Sequence, residues 1–301
     1  MIHTEKLTKR FGNVIAVENL DLDIHEGEVF GILGPNGAGK TTTVRMLSAL
    51  ISPSSGHAVV GGFIVGKQDM QIHHSTGILT ESPGLYDNLS AEYNLRFFAA
   101  LHEVNDITGQ VEKYLKMLDL YDRRFDTTGT FSKGMKQKLA IARALLHEPK
   151  IIFLDEPTAG LDPEAAHLVR EFIIELKKGG RTILICTHNL DEADRLCDRI
   201  GVIKNQLLVV DTPTKLRASV FGRKVVFHLR AADPKLEEVI RALPYVREAR
   251  FINNKLLVNL DDPELRNPDV IRVLVSAGAD IQFVGELRHS LEEVYLQLVK
   301  A

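Results

Sequence analysis

The chain has 301 residues, a length that suggests two domains, and its 45% hydrophobic and 26% charged residues exclude a disordered, collagen-like or disulfide-built protein. With 37 basic against 40 acidic residues the net charge is -3, which lacks the footprint of sequence-independent nucleic-acid binding, so no nucleic acid is expected as a partner. The longest apolar run is five residues, Phe97 to Leu101, against the ~20 of a spanning helix, and Met1-Ile2-His3-Thr4-Glu5-Lys6 has no secretion-signal core; a cytoplasmic location is expected. In chain order, the first strand with both faces covered is Val29-Phe30-Gly31-Ile32-Leu33, followed by a helix stripe at Val44, Leu47 and Ile51. Met135, Leu139, Ala142 and Leu146 mark a second helix. Ile151-Ile152-Phe153-Leu154 and Thr182-Ile183-Leu184-Ile185-Cys186 read as two more central strands, so the pattern is α/β with parallel strands. Cys186 and Cys197 sit in apolar segments without metal-ligand spacing and read as small buried hydrophobes.

The rhythm changes at Asp211-Thr212-Pro213-Thr214, which places domains at 1–218 and 219–301. Beyond it the expected elements are strand 225–229, helix 234–243, strand 246–252, a turn at Asn253-Asn254, strand 255–259, helix 268–277, strand 281–286 and a helix from Ser290. This βαββαβ order suits helices on one side of an antiparallel sheet, an α+β domain of ferredoxin-like type. It carries no catalytic constellation.

Gly34-Pro35-Asn36-Gly37-Ala38-Gly39-Lys40-Thr41 matches G-x-x-x-x-G-K-[ST] and lies between one expected strand and one expected helix. Its glycines turn N–H groups toward phosphate oxygens, Lys40 brings a point charge to the β/γ-phosphates, and Thr41 offers a hydroxyl to Mg2+. Asp155 and Glu156 end the second central strand on the sheet's carboxyl edge, where open α/β folds bind ligands. They either cap the turn at Pro157-Thr158 or, beside a phosphate loop, divide the work: Asp155 holds Mg2+ and Glu156 orients and deprotonates water. His188 follows the third central strand and falls on the same rim.

With Phe131-Ser132-Lys133-Gly134-Met135-Lys136-Gln137 added, the set resembles the nucleotide-binding subunit of an ATP-binding cassette (ABC) transporter. The family's signature is L-S-G-G-Q; Ser132 and Gly134 match it, while Phe131, Lys133 and Met135 depart. The resemblance covers residues 1 to about 218. It implies a P-loop NTPase of the ABC ATPase type: a RecA-like core, an antiparallel β subdomain and a helical signature subdomain. It also implies an ATPase that binds ATP and Mg2+ through the loop residues Gly34 to Thr41 with Thr42, with Phe11 against adenine. Ser132 and Gly134 would meet the γ-phosphate held by an opposite subunit, Ala159-Gly160-Leu161-Asp162 would lie at the dimer seam, and His188 would contact the γ-phosphate. Glu81, in Thr80-Glu81-Ser82-Pro83, stands where the family commonly has glutamine and is expected to sense the metal.

Gly84-Leu85-Tyr86-Asp87-Asn88-Leu89 and the appended domain resemble ATPases of the ABC-2-type export group. The partners implied are a separate integral membrane permease, docking near residues 81–101, and a second ATP-binding subunit, a homodimer being expected; the chain would be peripheral on the inner face of the membrane. Two other readings share the phosphate loop. A soluble ABC ATPase used as a mechanical switch in translation or DNA maintenance usually carries two cassettes or a long inserted coiled coil, and a P-loop kinase does not need Ser132, Gly134 and Asp162.

Overall fold

The first strands, β1 (Ile2–Phe11) and β2 (Val14–Ile24), pair antiparallel, and the end of β2 alternates buried and exposed residues as a sheet with one wet face requires. The computed structural model describes residues 1–80, 82–287 and 289–300, and divides into two units, Met1–Pro213 and Thr214–Ala301. In the first unit β3 (Val29–Leu33) is buried at every residue and leads into α1 (Lys40–Leu47). That helix stops earlier than its apolar stripe suggests. Ser48 caps it and Ala49 takes φ +57°, the left-handed stop usually given to glycine, so Ile51 packs on the core from beyond the helix.

Next come β4 (Ser55–Val60), β5 (Phe63–Ile64), α2 (Asp69–Ser75) and β6 (Thr76–Leu79). Helices α3 (Ala91–Leu101), α4 (Ile107–Met117) and α5 (Lys133–Leu145) pack on one another, with Leu95, Ala99, Tyr114, Leu115, Leu139 and Ala142 buried. The unit is completed by β7 (Ile151–Asp155), α6 (Pro163–Lys178), β8 (Thr182–Thr187), α7 (Leu190–Leu196), β9 (Arg199–Lys204) and β10 (Gln206–Asp211).

Two sheets result. One is antiparallel, ordered β2-β1-β4-β5; the other is ordered β10-β9-β3-β8-β7-β6, parallel except where β10 meets β9. The expected central strands β3, β8 and β7 are adjacent inside it. Their register sets Leu33 beside Thr187 and Asp155 beside Cys186, so the residues after all three strands emerge at one edge. α1 packs against strands of both sheets, and Phe30, Ile32, Met46, Leu47, Phe153 and Leu184 join one core. Full burial of each such side chain contributes roughly 1.5–3 kcal/mol, which fixes the edge from which the loops project.

The second unit begins with α8 (Pro213–Phe221), whose first residue belongs to the first unit. It continues through β11 (Lys224–Leu229), α9 (Pro234–Arg241), β12 (Val246–Ile252), β13 (Lys255–Leu260), α10 (Pro263–Ser276), β14 (Ile281–Glu286) and α11 (Leu291–Lys300). All neighbours in its sheet, ordered β12-β13-β11-β14, are antiparallel. Alternate residues Val225, Phe227 and Leu229 join Leu256, Val258 and Leu260 under Leu236, Ile240, Val270 and Leu274 of the helices. α10 starts at Pro263, five residues before the expected Pro268: Pro263 occupies the first turn, where a missing N–H costs nothing, and Pro268 is carried inside the helix.

Candidate functional site

The loop between β3 and α1 is shaped by close packing. A Cβ on Gly34 would lie 2.6 Å from the Ile203 carbonyl oxygen, and one on Gly39 2.4 Å from that of Ala16. Gly37 and Gly39 also take φ +81° and +98°, conformations that a side chain rarely adopts. Lys40 is 7% exposed, and its Nζ donates to the carbonyls of Gly34 (2.7 Å) and Pro35 (3.2 Å), folding the ammonium back over the loop. Thr43 donates to Gly39 O and ties the first helical turn to the loop.

A cleft of about 400 Å3 is lined by Asn36 to Thr42 together with Glu156, Ala159, His188 and Ala16. Asp155 is 2% exposed at the end of β7. Glu156 then takes φ +52°, although it is not glycine and precedes a proline, a combination that stores strain. Its N–H donates to Cys186 O on β8 (2.8 Å), so the neighbouring strand holds the turn. Its carboxylate is held as well. His188 N–H donates to Oε1 at 3.1 Å, the His188 Nδ1 lies 2.8 Å from the same oxygen, and the Thr187 hydroxyl reaches Oε2 at 3.5 Å. The imidazole itself is 63% exposed and faces the cleft.

Two groups near this loop escaped sequence reasoning. Glu192 on α7 is 2% exposed; burial raises its carboxyl pKa, the hydroxyls of Thr158 and Thr187 act in the opposite direction, and the Glu156 charge adds to the rise. Gln137 on α5 is 5% exposed, and its Nε2 donates to the Pro157 carbonyl at 2.9 Å. Both act through elements distant in sequence, so only the spacing of Gln137 on the signature helix could have drawn attention to either.

The remaining expected residues fall elsewhere. Ser132 caps α5, accepting from the Met135 N–H at 3.2 Å. Gly134 lets α5 approach α6, since a Cβ there would lie 3.1 Å from the Ala165 Cβ. Asp162 caps α6 through the Ala165 N–H at 2.8 Å, with Pro163 in the first turn. Lys133 lies over Gly160, occupying the space a Cβ would need. Phe11 is 52% exposed at the end of β1, with the Lys9 ammonium 5.1 Å from its ring centre. Among the described residues, none of Ser132, Gly134, Asp162 and Phe11 lines the cleft, nor do Gly34, Pro35 and Asp155, which lie just beside it in sequence. Glu81 lies outside the described residues.

The donor set suits a small hard cation. Thr41 lines the cleft and Asp155 is buried at the end of β7, outside the cleft lining; a hydroxyl and one carboxylate are donors of the kind Mg2+ takes when its other oxygens come from phosphate and water. Among the described residues there is no group of three or more His, Cys, Asp or Glu that could cage a metal unaided. Both cysteines are free and buried, and burial pushes each thiol pKa up, which keeps them unreactive. No helix among the described residues is long and apolar enough to cross a membrane.

The profile of the ABC transporter family matches residues 17–159. The chain is 31% identical to the linearmycin resistance ATP-binding protein LnrL of Bacillus subtilis, over 99% of this chain and 96% of that one. It is 35% identical to the daunorubicin resistance ATP-binding protein DrrA3 of Streptomyces coeruleorubidus, over 96% and 93%. Among solved structures it resembles a dimeric post-hydrolysis state of the ATP-binding cassette MJ0796 bound to ADP and Pi, with a TM-score of 0.65 and 25% identity, over 70% of this chain and 98% of that one. These likenesses set aside the soluble switch in translation or DNA maintenance. The G-x-x-x-x-G-K-T loop, the strand-end carboxylates and full-length relatives agree, and the chain belongs to the ABC transporter ATP-binding proteins, the ATP-binding and ATP-hydrolysing motor subunits of ABC transporters.

Proposed function

We propose that this chain drives an exporter, working as a head-to-tail homodimer on a separate membrane permease and lying peripherally on the inner face of the membrane. Relatives named for resistance to linearmycin and daunorubicin support the direction of transport. Each ATP would lie between the Gly34–Thr42 loop of one copy and Ser132 and Gly134 of the other, with Asp162 at the seam and Phe11 beside the adenine. The observation that carries the reading is a half-built cleft. Lys40 and Thr41 face Glu156 and His188 across it, while the Ser132 end of α5 is not on its wall.

Phosphate arriving in the cleft would take the Lys40 ammonium from the Gly34 and Pro35 carbonyls, exchanging neutral acceptors for anionic ones. Thr41 and Asp155 would hold Mg2+, joined by Glu81 directly or through water; bound there, the ion neutralises charge on the phosphates. Glu156 accepts the proton of the attacking water, and the γ-phosphate draws His188 toward itself, freeing Oε1 of Glu156 for that water. ATP then supplies contacts available only in the closed dimer, and phosphate release removes them, which biases the opening that moves the permease. The second unit contributes to dimer stability or its regulation.

The test is Glu156→Gln. Loss of a general base lowers turnover about 10²–10⁴-fold, and the neutral amide leaves ATP binding intact, so size exclusion with ATP and Mg2+ traps a dimer. Rapid hydrolysis by this variant removes Glu156 from its role.

A further inference from the structure

We infer that Gln137 is a positioning residue for the hydrolytic step, fixing Glu156 from the helical layer through the Pro157 carbonyl. The inference rests on the role proposed for Glu156.

The Glu156 backbone is under strain, with φ +52° at a residue that precedes proline, and needs restraint to stay there. Behind the residue, its own N–H is tied to Cys186 O of β8. Ahead of it, the Gln137 amide donates to Pro157 O at 2.9 Å. That second tie is mechanically stiff. The Glu156–Pro157 peptide is trans and planar, and the proline ring locks its φ, so one soft torsion, the ψ of Pro157, separates the held carbonyl from the Cα of Glu156. Gln137 is 5% exposed, so water cannot replace the bond when it is lost. The donor stands on α5, one and a half turns from Ser132, and it lines a second cleft of about 420 Å3 that includes Glu156 and Ala159. A helix whose first turn awaits the partner's nucleotide therefore also grips the residue after this copy's Glu156. Seating of α5 is thereby felt at the carboxylate that prepares water.

The test compares full-length Gln137→Met and Gln137→Leu with the unmodified chain, using Mg2+-ATP turnover. Methionine keeps the length without a donor, and leucine fills the site with a side chain that neither donates nor ionises. A shift of the Glu156 carboxylate by a fraction of an ångström to an ångström lowers kcat by about ten- to a hundredfold, with the KM for ATP moving less than about twofold. Gln137→Lys, which restores a donor of similar reach, recovers part of the loss. A purely structural residue gives a different result: lower melting temperature, raised KM and kcat unchanged in the folded fraction, which overturns the inference. So does full kcat in either donorless variant. Glu156→Gln run alongside keeps the two ideas apart, because rapid turnover there defeats the role of Glu156, whereas full turnover in the Gln137 variants defeats only the link to it.

Discussion

Gly37→Ala and Gly39→Ala place the same methyl group two residues apart in the loop between β3 and α1, and the structure separates their costs. Both glycines have positive φ, so each alanine carries a left-handed penalty of ~1–2 kcal/mol. At Gly37 nothing lies within 4 Å of the new Cβ, and the penalty ends there. At Gly39 the new Cβ meets Ala16 O at 2.4 Å and Val17 Cγ2 at 2.9 Å. Ala16 belongs to β2 and its carbonyl accepts from Asn205 Nδ2, so the oxygen cannot swing aside and the loop must move instead. Overpacking of that kind adds ~1–3 kcal/mol, for ~2–5 in all. In a unit of about 200 residues each kcal/mol shifts the melting temperature by roughly 2–4 °C, so Gly39→Ala melts about 4–20 °C low and Gly37→Ala about 2–8 °C low. Calorimetry on both proteins measures the gap, and equilibrium dialysis with ATP measures the displaced loop as weaker binding by Gly39→Ala. Equal melting temperatures would refute the steric reasoning and leave backbone strain as the whole effect.

Asn94→Ala removes a fully buried amide that donates to the carbonyls of Tyr86, Leu89 and Ser90 and accepts from the Tyr86 N–H. Orphaning those groups costs ~2–4 kcal/mol, and chymotrypsin should cut at Tyr86 faster in the variant; unchanged cleavage counts against Asn94 as the clamp of that loop. Burial, then the stacked His102, lowers the His147 pKa from 6.5 to about 4. The unfolded chain therefore binds more protons between those values, and stability is lost as pH falls through the window, by about 2 kcal/mol once solvent screening of a partly exposed ring is discounted. Urea midpoints at pH 7 and pH 4.5 should fall less steeply in His147→Gln than in the unmodified chain, and parallel acid slopes would show that other groups govern the loss. Ser132→Asp keeps an N-cap of equal rank, so α5 stability holds within about 0.5 kcal/mol, while the new charge repels a γ-phosphate across the seam. Sizing of this variant in the Glu156→Gln background should show no ATP-driven dimer, and an undiminished dimer would leave Ser132 a helix cap and nothing more.

The legible parts of this molecule are those whose chemistry is local. Gly34, Gly39, Lys40 and Thr41 belong to one turn, whose residue types and spacing point to a phosphate nest without help from distant neighbours, and β3, β7 and β8 are visible because burial on both faces demands unbroken apolar runs. What depends on neighbours was hidden. Nothing in Leu154-Asp155-Glu156-Pro157 announces a left-handed glutamate; that conformation follows from the parallel register of β7 and β8, which sets Cys186 O and the His188 N–H within reach of residue 156. The extent of α10 failed for a related reason, because Pro263 and Pro268 are both plausible first-turn residues and tertiary packing of Val270 and Leu274 tolerates the second inside the helix.

The same division explains why the signature residues read so differently in sequence and in structure. Within one chain Ser132, Gly134 and Asp162 already have ordinary duties as a cap, a close approach and a second cap. Such duties fix their positions but do not require serine at 132, since aspartate or asparagine caps as well. Gly134 differs, because the 3.1 Å approach to Ala165 constrains it sterically whether or not a nucleotide ever arrives. Substituting Gly134 thus perturbs packing along with the proposed nucleotide contact, whereas Ser132 can be changed in charge at constant capping. The serine, not the glycine, is the position at which a shared nucleotide site can be distinguished from a helix terminus.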